Sequence, residues 1–184
     1  MNYAGIIKDD IANGTGIRTS LFVSGCRNNC PGCFNKGAQD FSYGYEFTED
    51  VANDILDSIS DYHDGITLLG GDPLEPENAE VLLPFIEEYR DRFNYRKSIW
   101  LFTGYTLEYI LALDDNDPRK KLVLLVDILV DGPFIESLKD ITLKFRGSSN
   151  QRIISVQDNF TDITEVLWVI KRRNLIIKNL FHLQ

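Results

Sequence analysis

The chain has 184 residues, 43% of them hydrophobic, enough for one domain with a proper core and no disulfide staples. Its formal charge of −9 excludes the basic surface that general nucleic-acid binding needs. The opening MNYAGIIKDD turns acidic where a secretory leader would be apolar, and no run approaches the roughly 20 apolar residues of a membrane span, so a soluble, cytoplasmic protein with no membrane partner is expected.

Asn13, Gly14 and Gly16 make a turn before the first expected strand, RTSLFVSG (18–25), rich in β-branched and aromatic residues. That strand runs into a loop holding Cys26, Cys30 and Cys33. Thr48 then caps a helix whose apolar positions are Val51, Ile55, Ile59 and Tyr62. GITLLGG (65–71) is a short buried strand, and Pro76 starts a helix with Ala79, Leu82, Leu83, Ile86 and Tyr89 on one face. SIWLFTG (98–104) is the next strand. Asp117-Pro118 opens a helix that gives way to a strand from about Asp127, and QRIISV (151–156) is the last strand expected. Past it, Thr161 is a plausible cap for a helix with Ile163, Val166, Leu167 and Ile170 on one face. The chain is thus expected to divide into a domain of residues 1–156 and a C-terminal extension, 157–184, expected to be helical and packed upon it.

Strands alternate with helices from residue 18 onward, the pattern of βα units and a mainly parallel α/β sheet. Five or six strands are too few for a closed eight-stranded barrel, which leaves a partial barrel or an open doubly wound sheet. In either, ligands gather at the carboxyl ends of the strands. The cysteine loop, Gly70-Gly71-Asp72, Thr103-Gly104 and Asp131-Gly132 all fall there.

Three cysteines within eight residues, with none elsewhere, make a poor disulfide framework. Structural zinc would need His63 or His182 as its fourth ligand, and each is expected to be a solvated surface histidine. A [4Fe–4S] cluster on three thiolates fits better, because one iron then keeps an open position for a substrate.

With C-x3-C-x2-C following the first parallel strand, the chain resembles the radical S-adenosylmethionine enzymes, and within them the branch that activates the anaerobic ribonucleoside-triphosphate reductase. The matching stretches are NGTGIRTSLFVSGC (13–26), CPGCFNK (30–36), GGDPL (70–74), WLFTGYT (100–106), DILVDGPF (127–134) and FRGSSNQR (145–152). The resemblance implies a partial (β/α) barrel and a [4Fe–4S] cluster on Cys26, Cys30 and Cys33. It further implies reductive cleavage of S-adenosylmethionine, with the 5′-deoxyadenosyl radical forming a glycyl radical on the large subunit of the reductase. A flavodoxin-like protein would donate the electron. Activation of another glycyl-radical enzyme, such as pyruvate formate-lyase, and a simple iron–sulfur electron carrier are the alternatives. Gly32 stands where the superfamily often has an aromatic residue, so the Gly32–Cys33 backbone and the ring of Phe34 are expected to meet the adenine. Gly70-Gly71-Asp72 replaces the more usual Gly-Gly-Glu, and Thr15 replaces a proline.

At Gly70-Gly71 the backbone can approach a ligand closely, and Asp72 can accept hydrogen bonds from the methionine ammonium group. Thr103-Gly104 and Asp131-Gly132 either line the ribose and adenine or are plain turns. Arg146, Ser148, Ser149, Asn150 and Arg152 suit a carboxylate or a partner's backbone. Arg18, Arg27 and Lys36 surround the cysteine loop, with no acidic residue from Thr19 to Ala38. Arg18 is expected near the cluster, and Arg27 and Lys36 on a rim that steers an acidic donor.

Overall fold

The computed structural model describes residues 1–164. One mixed sheet organises them. Its strands are β1 (Asn2–Asp10), β2 (Arg18–Val23), β3 (Tyr45–Glu46), β4 (Gly65–Gly70), β5 (Ser98–Phe102), β6 (Ile128–Asp131), β7 (Arg152–Ser155) and β8 (Thr161–Asp162). Their order is β3-β1-β2-β4-β5-β6-β7-β8. The centre, β2-β4-β5-β6, is parallel, and every flanking pair is antiparallel. The sheet is open, with β3 and β8 as its edges.

Three of these strands were not expected. Acidic Asp9 and Asp10 and an interior glycine break the apolar alternation of β1, and its register against β2 shifts twice. The other two, β3 and β8, are two residues each, too short to show a period. Thr161 therefore lies in a strand, where its hydroxyl donates to Asp158 O, and the Asp162 carboxylate accepts the Thr164 N–H; the helix expected after it lies outside the described residues. Ile163 is buried, whereas Val166, Leu167, Ile170 and His182 lie outside the described residues.

The parallel strands follow one another across the sheet in chain order, so right-handed crossovers place their helices on a single face. These are α1 (Glu49–Ser58), α2 (Pro76–Phe93), α3 (Leu107–Leu111) and α4 (Pro118–Leu125). Ile55, Leu82, Ile110 and Leu122 from them join Leu21, Leu68, Leu101 and Leu129 in one core. Side chains alternate along a strand, so the opposite face carries Trp100, Val130, Ile153 and Ile163, with Phe102 and Phe145 packed against them. Helix α1 stops at Ser58. Ile59 is already extended as its C-cap, and Tyr62 lies beyond the helix in an exposed turn.

Helix α4 starts where Asp117-Pro118 indicates, with the Asp117 carboxylate accepting the Arg119 N–H at 2.9 Å. Asp117→Ala should cost about 1 kcal/mol through the lost cap. Asp117→Asn, which keeps the capping oxygen, should stay close to wild type. Chemical denaturation midpoints of the two variants check this.

Parallel register sets Arg18, Gly65 and Ser98 side by side at one end of the sheet, and Val23 beside Gly70 at the other. Arg18 therefore lies the length of β2 from the cysteine loop, about 16 Å at ~3.3 Å per residue. It is buried, donates to Thr67 Oγ1 and to the carbonyls of Ile66 and Ser98, and sits 5.7 Å from the centre of the Trp100 ring. It ties three strands together and is not beside the thiols. Burial lowers its pKa to about 10, leaving it charged at neutral pH.

Candidate functional site

The carboxyl ends of β2, β4, β5 and β6 open onto a cavity of about 450 Å³, within the range of small-molecule sites. Cys26, Cys30 and Cys33 line one side, Gly70, Gly71 and Asp72 its floor, and Thr103 and Gly104 the end of β5. The connection between β6 and β7 forms the far wall through Gly132, Phe134, Ile141, Leu143 and Phe145. All the residues expected to bind a cluster or cofactor, Gly32 and Phe34 included, border this one cavity. Asp131 does not: its carboxylate accepts the Leu107 N–H and binds Arg152.

The cysteine loop is irregular and is held from outside itself. The Gly25 and Cys26 N–H groups donate to the carbonyls of Ala38 and Gln39. Asn78 Nδ2 donates to Ser24 O at 3.0 Å. Buried Glu75 accepts both the backbone N–H and the guanidinium of Arg27, each at 2.6 Å. Arg27 also pairs with Glu77 and stacks on Phe41. It is thus an anchor of the loop matched by two carboxylates, not an unmatched rim charge; Lys36 is exposed. Glu75 escaped the sequence reading because nothing in DPLEPE relates it to a cation 48 positions earlier.

All three cysteines are free and half-buried. Burial, with the negative charges of Asp72 and Glu75, pushes the Cys26 thiol up to about 11. Metal must displace that proton on binding. Among the described residues, no group of three or more His, Cys, Asp or Glu side chains stands close enough together to hold a metal ion. His63 is not the solvated residue expected. It is 4% exposed, its Nδ1 accepts the Ser60 N–H, and its Nε2 lies 2.9 Å from Lys8 O.

Asp72 is 1% exposed and both its oxygens are occupied. Oδ1 accepts the Leu74 N–H at 2.9 Å and the Thr103 hydroxyl at 2.8 Å. Oδ2 accepts the Gly104 N–H and the Asn28 side-chain amide, both at 2.9 Å. Burial raises its pKa to about 6, against the lowering effect of Gly104, Leu74 and Thr103. The two glycines before it are needed for contact with the protein's own backbone. A Cβ at Gly70 would lie 2.6 Å from Val23 O, and one at Gly71 2.5 Å from Gly25 O. Phe34, by contrast, is 97% exposed at the cavity mouth.

The FRGSSNQR segment largely turns inward. Ser148 Oγ accepts the Ile135 N–H, Asn150 donates to Pro133 O, and Gln151 Oε1 accepts from Gly147 and Ser148. Arg152 does bind carboxylates, but they are Asp131 and Glu108 of this chain.

The donor set suits a [4Fe–4S] cluster, whose separate irons take one thiolate each, so the three cysteines need not converge on a single ion: they line one cavity, apolar rings and backbone border much of the space beside them, and the chain has no fourth cysteine to close the set. Comparison with known proteins agrees. Residues 12–154 match the 4Fe-4S single cluster domain family. The chain is 41% identical over 154 residues to the anaerobic ribonucleoside-triphosphate reductase-activating protein of Escherichia coli (strain K12), covering 82% of this chain and 96% of that one. It is 41% identical over 157 residues to the Haemophilus influenzae protein of that name, covering 83% and 97%. It is 38% identical over 159 residues to the protein of that name from Enterobacteria phage T4, covering 86% and 96%.

Proposed function

Because the chain belongs to the family of anaerobic ribonucleoside-triphosphate reductase-activating proteins, we propose that it activates such a reductase by reductive cleavage of S-adenosylmethionine. The carrying observation is that three free cysteines, too few to close a four-thiolate site, border a cavity large enough for a cosubstrate. Cys26, Cys30 and Cys33 would hold the [4Fe–4S] cluster as thiolates. Once reduced by an external one-electron donor, a cluster held there would supply one electron to the sulfonium; carbon–sulfur cleavage would give methionine and a 5′-deoxyadenosyl radical, and transfer of a hydrogen atom from a glycine of the large reductase subunit would leave 5′-deoxyadenosine and a glycyl radical.

The protein's own task is to place the cosubstrate and keep water out. Gly70 and Gly71 set the floor beside the methionine end, Thr103 borders its far side, and Gly32 with the Phe34 ring receives the adenine. Phe102, Phe134, Leu143 and Phe145 give the cavity apolar walls that would shield a radical from solvent. A partial-barrel curvature of the open sheet would bring the four strand-end loops round one ligand. The reductant is taken to be a flavodoxin-like protein, and the setting the cytoplasm; no helix among the described residues is long and apolar enough to cross a membrane. The relatives' names favour the reductase over another glycyl-radical enzyme as the partner.

Anaerobic reconstitution should load about four irons and four sulfides per chain. Adding S-adenosylmethionine, dithionite and the large reductase subunit should then give a glycine-centred radical by electron paramagnetic resonance. A fully loaded protein that never produces that signal would refute the activase reading.

A further inference from the structure

We infer that Asp72 is a positioning residue: its buried carboxylate clasps the cysteine loop to the ends of β4 and β5 and does not itself touch the ligand. The geometry of one side chain carries this. Its four partners come from three different strand ends: Asn28 from the cysteine loop after β2, Leu74 from the turn after β4, and Thr103 and Gly104 from the end of β5. An ionised carboxylate has about four lone-pair sites, and here four protein donors fill them. No acceptor capacity is left for an ammonium group.

Gly104 makes the clasp possible. A Cβ there would stand 2.2 Å from Asn28 Nδ2, so the amide reaches Asp72 only because position 104 lacks a side chain. Asn28 is exposed overall, and its side-chain amide turns inward to Asp72 and to Cys26. The Asp72 backbone adds a second tie, its N–H donating to Gly25 O at 2.8 Å. One residue thus fixes the loop that bears Cys26 relative to the floor and the β5 side of the cavity. As a consequence of the proposed cluster site, Asp72 would hold thiolates and cosubstrate in mutual register.

The test has two arms, using the full chain throughout. Without metal, anaerobically, alkylation of Cys26 by iodoacetamide is followed by peptide mass spectrometry in wild type, Asn28→Ala, Gly104→Ala, Asp72→Ala and the Asn28→Ala/Asp72→Ala double variant. Each rate is divided by the variant's own thiolate fraction, taken from its pH–rate profile; so corrected, opening the clasp should speed Cys26 alkylation by about threefold or more in each single variant, and the double should be no faster than Asp72→Ala, because the two residues act through one bond. Gly104→Ala displaces only the end of a side chain, so its melting temperature should match wild type while its alkylation rises; this separates positioning from general loss of fold. Alkylation unchanged in Asn28→Ala and Gly104→Ala overturns the clasp.

With iron and sulfide loaded, binding of S-adenosylmethionine is compared with that of the sulfonium whose α-amino group is replaced by hydrogen. A positioning role predicts that Asp72→Ala weakens both by the same factor, about tenfold. A loss confined to the amino-bearing ligand, or tighter binding in Asn28→Ala, would mean that Asp72 meets the ammonium directly and that Asn28 occupies its place. Wild type binding neither ligand would refute the proposed function, and the metal-free arm would still decide the clasp.

Discussion

Alanine in place of any one of Cys26, Cys30 or Cys33 is expected to abolish stable iron loading and, with it, the proposed reductase activation. The chain has no other cysteine to substitute, and His63 offers no replacement. His63 is enclosed by Ser60 and Lys8 at the end of β2 opposite the cysteine loop, and His182 lies outside the described residues. The loss should be chemical and not a failure to fold. None of the three side chains belongs to either hydrophobic core, and the loop is anchored independently through Glu75, Asn78 and the carbonyls of Ala38 and Gln39. Iron and sulfide analysis alongside thermal melting separates the two. Each variant should melt like the metal-free wild type yet retain almost no iron after desalting, and a variant that activates the reductase at the wild-type rate would contradict the ligand assignment.

Gly71→Ala is expected to damage both stability and the site. The new Cβ would lie 2.5 Å from Gly25 O and 2.8 Å from Ala38 O, both backbone atoms. Neither can retreat cheaply. Gly25 O accepts the Asp72 N–H, and Ala38 O accepts the Gly25 N–H, each at 2.8 Å. Overpacking of this kind costs about 1–3 kcal/mol, which in a domain of this size lowers the melting temperature by about 2–4 °C per kcal/mol. Relief by shifting the cysteine loop would open the cavity floor, so binding of S-adenosylmethionine should weaken as well. Gly5→Ala, where a Cβ meets nothing within 4 Å, is the control and should do neither.

The site was legible in outline because its pieces announce themselves locally. A short apolar strand that stops at glycine marks a carboxyl end, and four such ends in alternation with helices must meet at one edge of a parallel sheet. What joins those ends was not legible. The bonds from Asp72 to Asn28 and from Glu75 to Arg27 span 44 and 48 positions, and no local period encodes such pairings. Arg27 looked unmatched in a stretch without acids because its carboxylates arrive from the start of α2. Arg18 looked close to the thiols because it is near them in the chain, but an extended strand carries its ends apart. His63 looked solvated at the end of a helix until β1, itself obscured by Asp9, Asp10 and two register shifts, supplied the carbonyl that holds it. The edge strands were hidden for a related reason: β3 and β8 exist through pairing with β1 and β7, not through their own composition.

The central claim, reductive cleavage of S-adenosylmethionine in the cavity bordered by Cys26, Cys30 and Cys33, is tested most directly by product analysis of the reconstituted full chain. The protein is incubated anaerobically with S-adenosylmethionine and dithionite, and methionine and 5′-deoxyadenosine are quantified by chromatography. The account predicts both products in equal amounts, dependent on dithionite and on loaded iron, and none from the three cysteine variants. Full iron and sulfide loading with no 5′-deoxyadenosine, or 5′-deoxyadenosine formed equally by a cysteine variant, would contradict it.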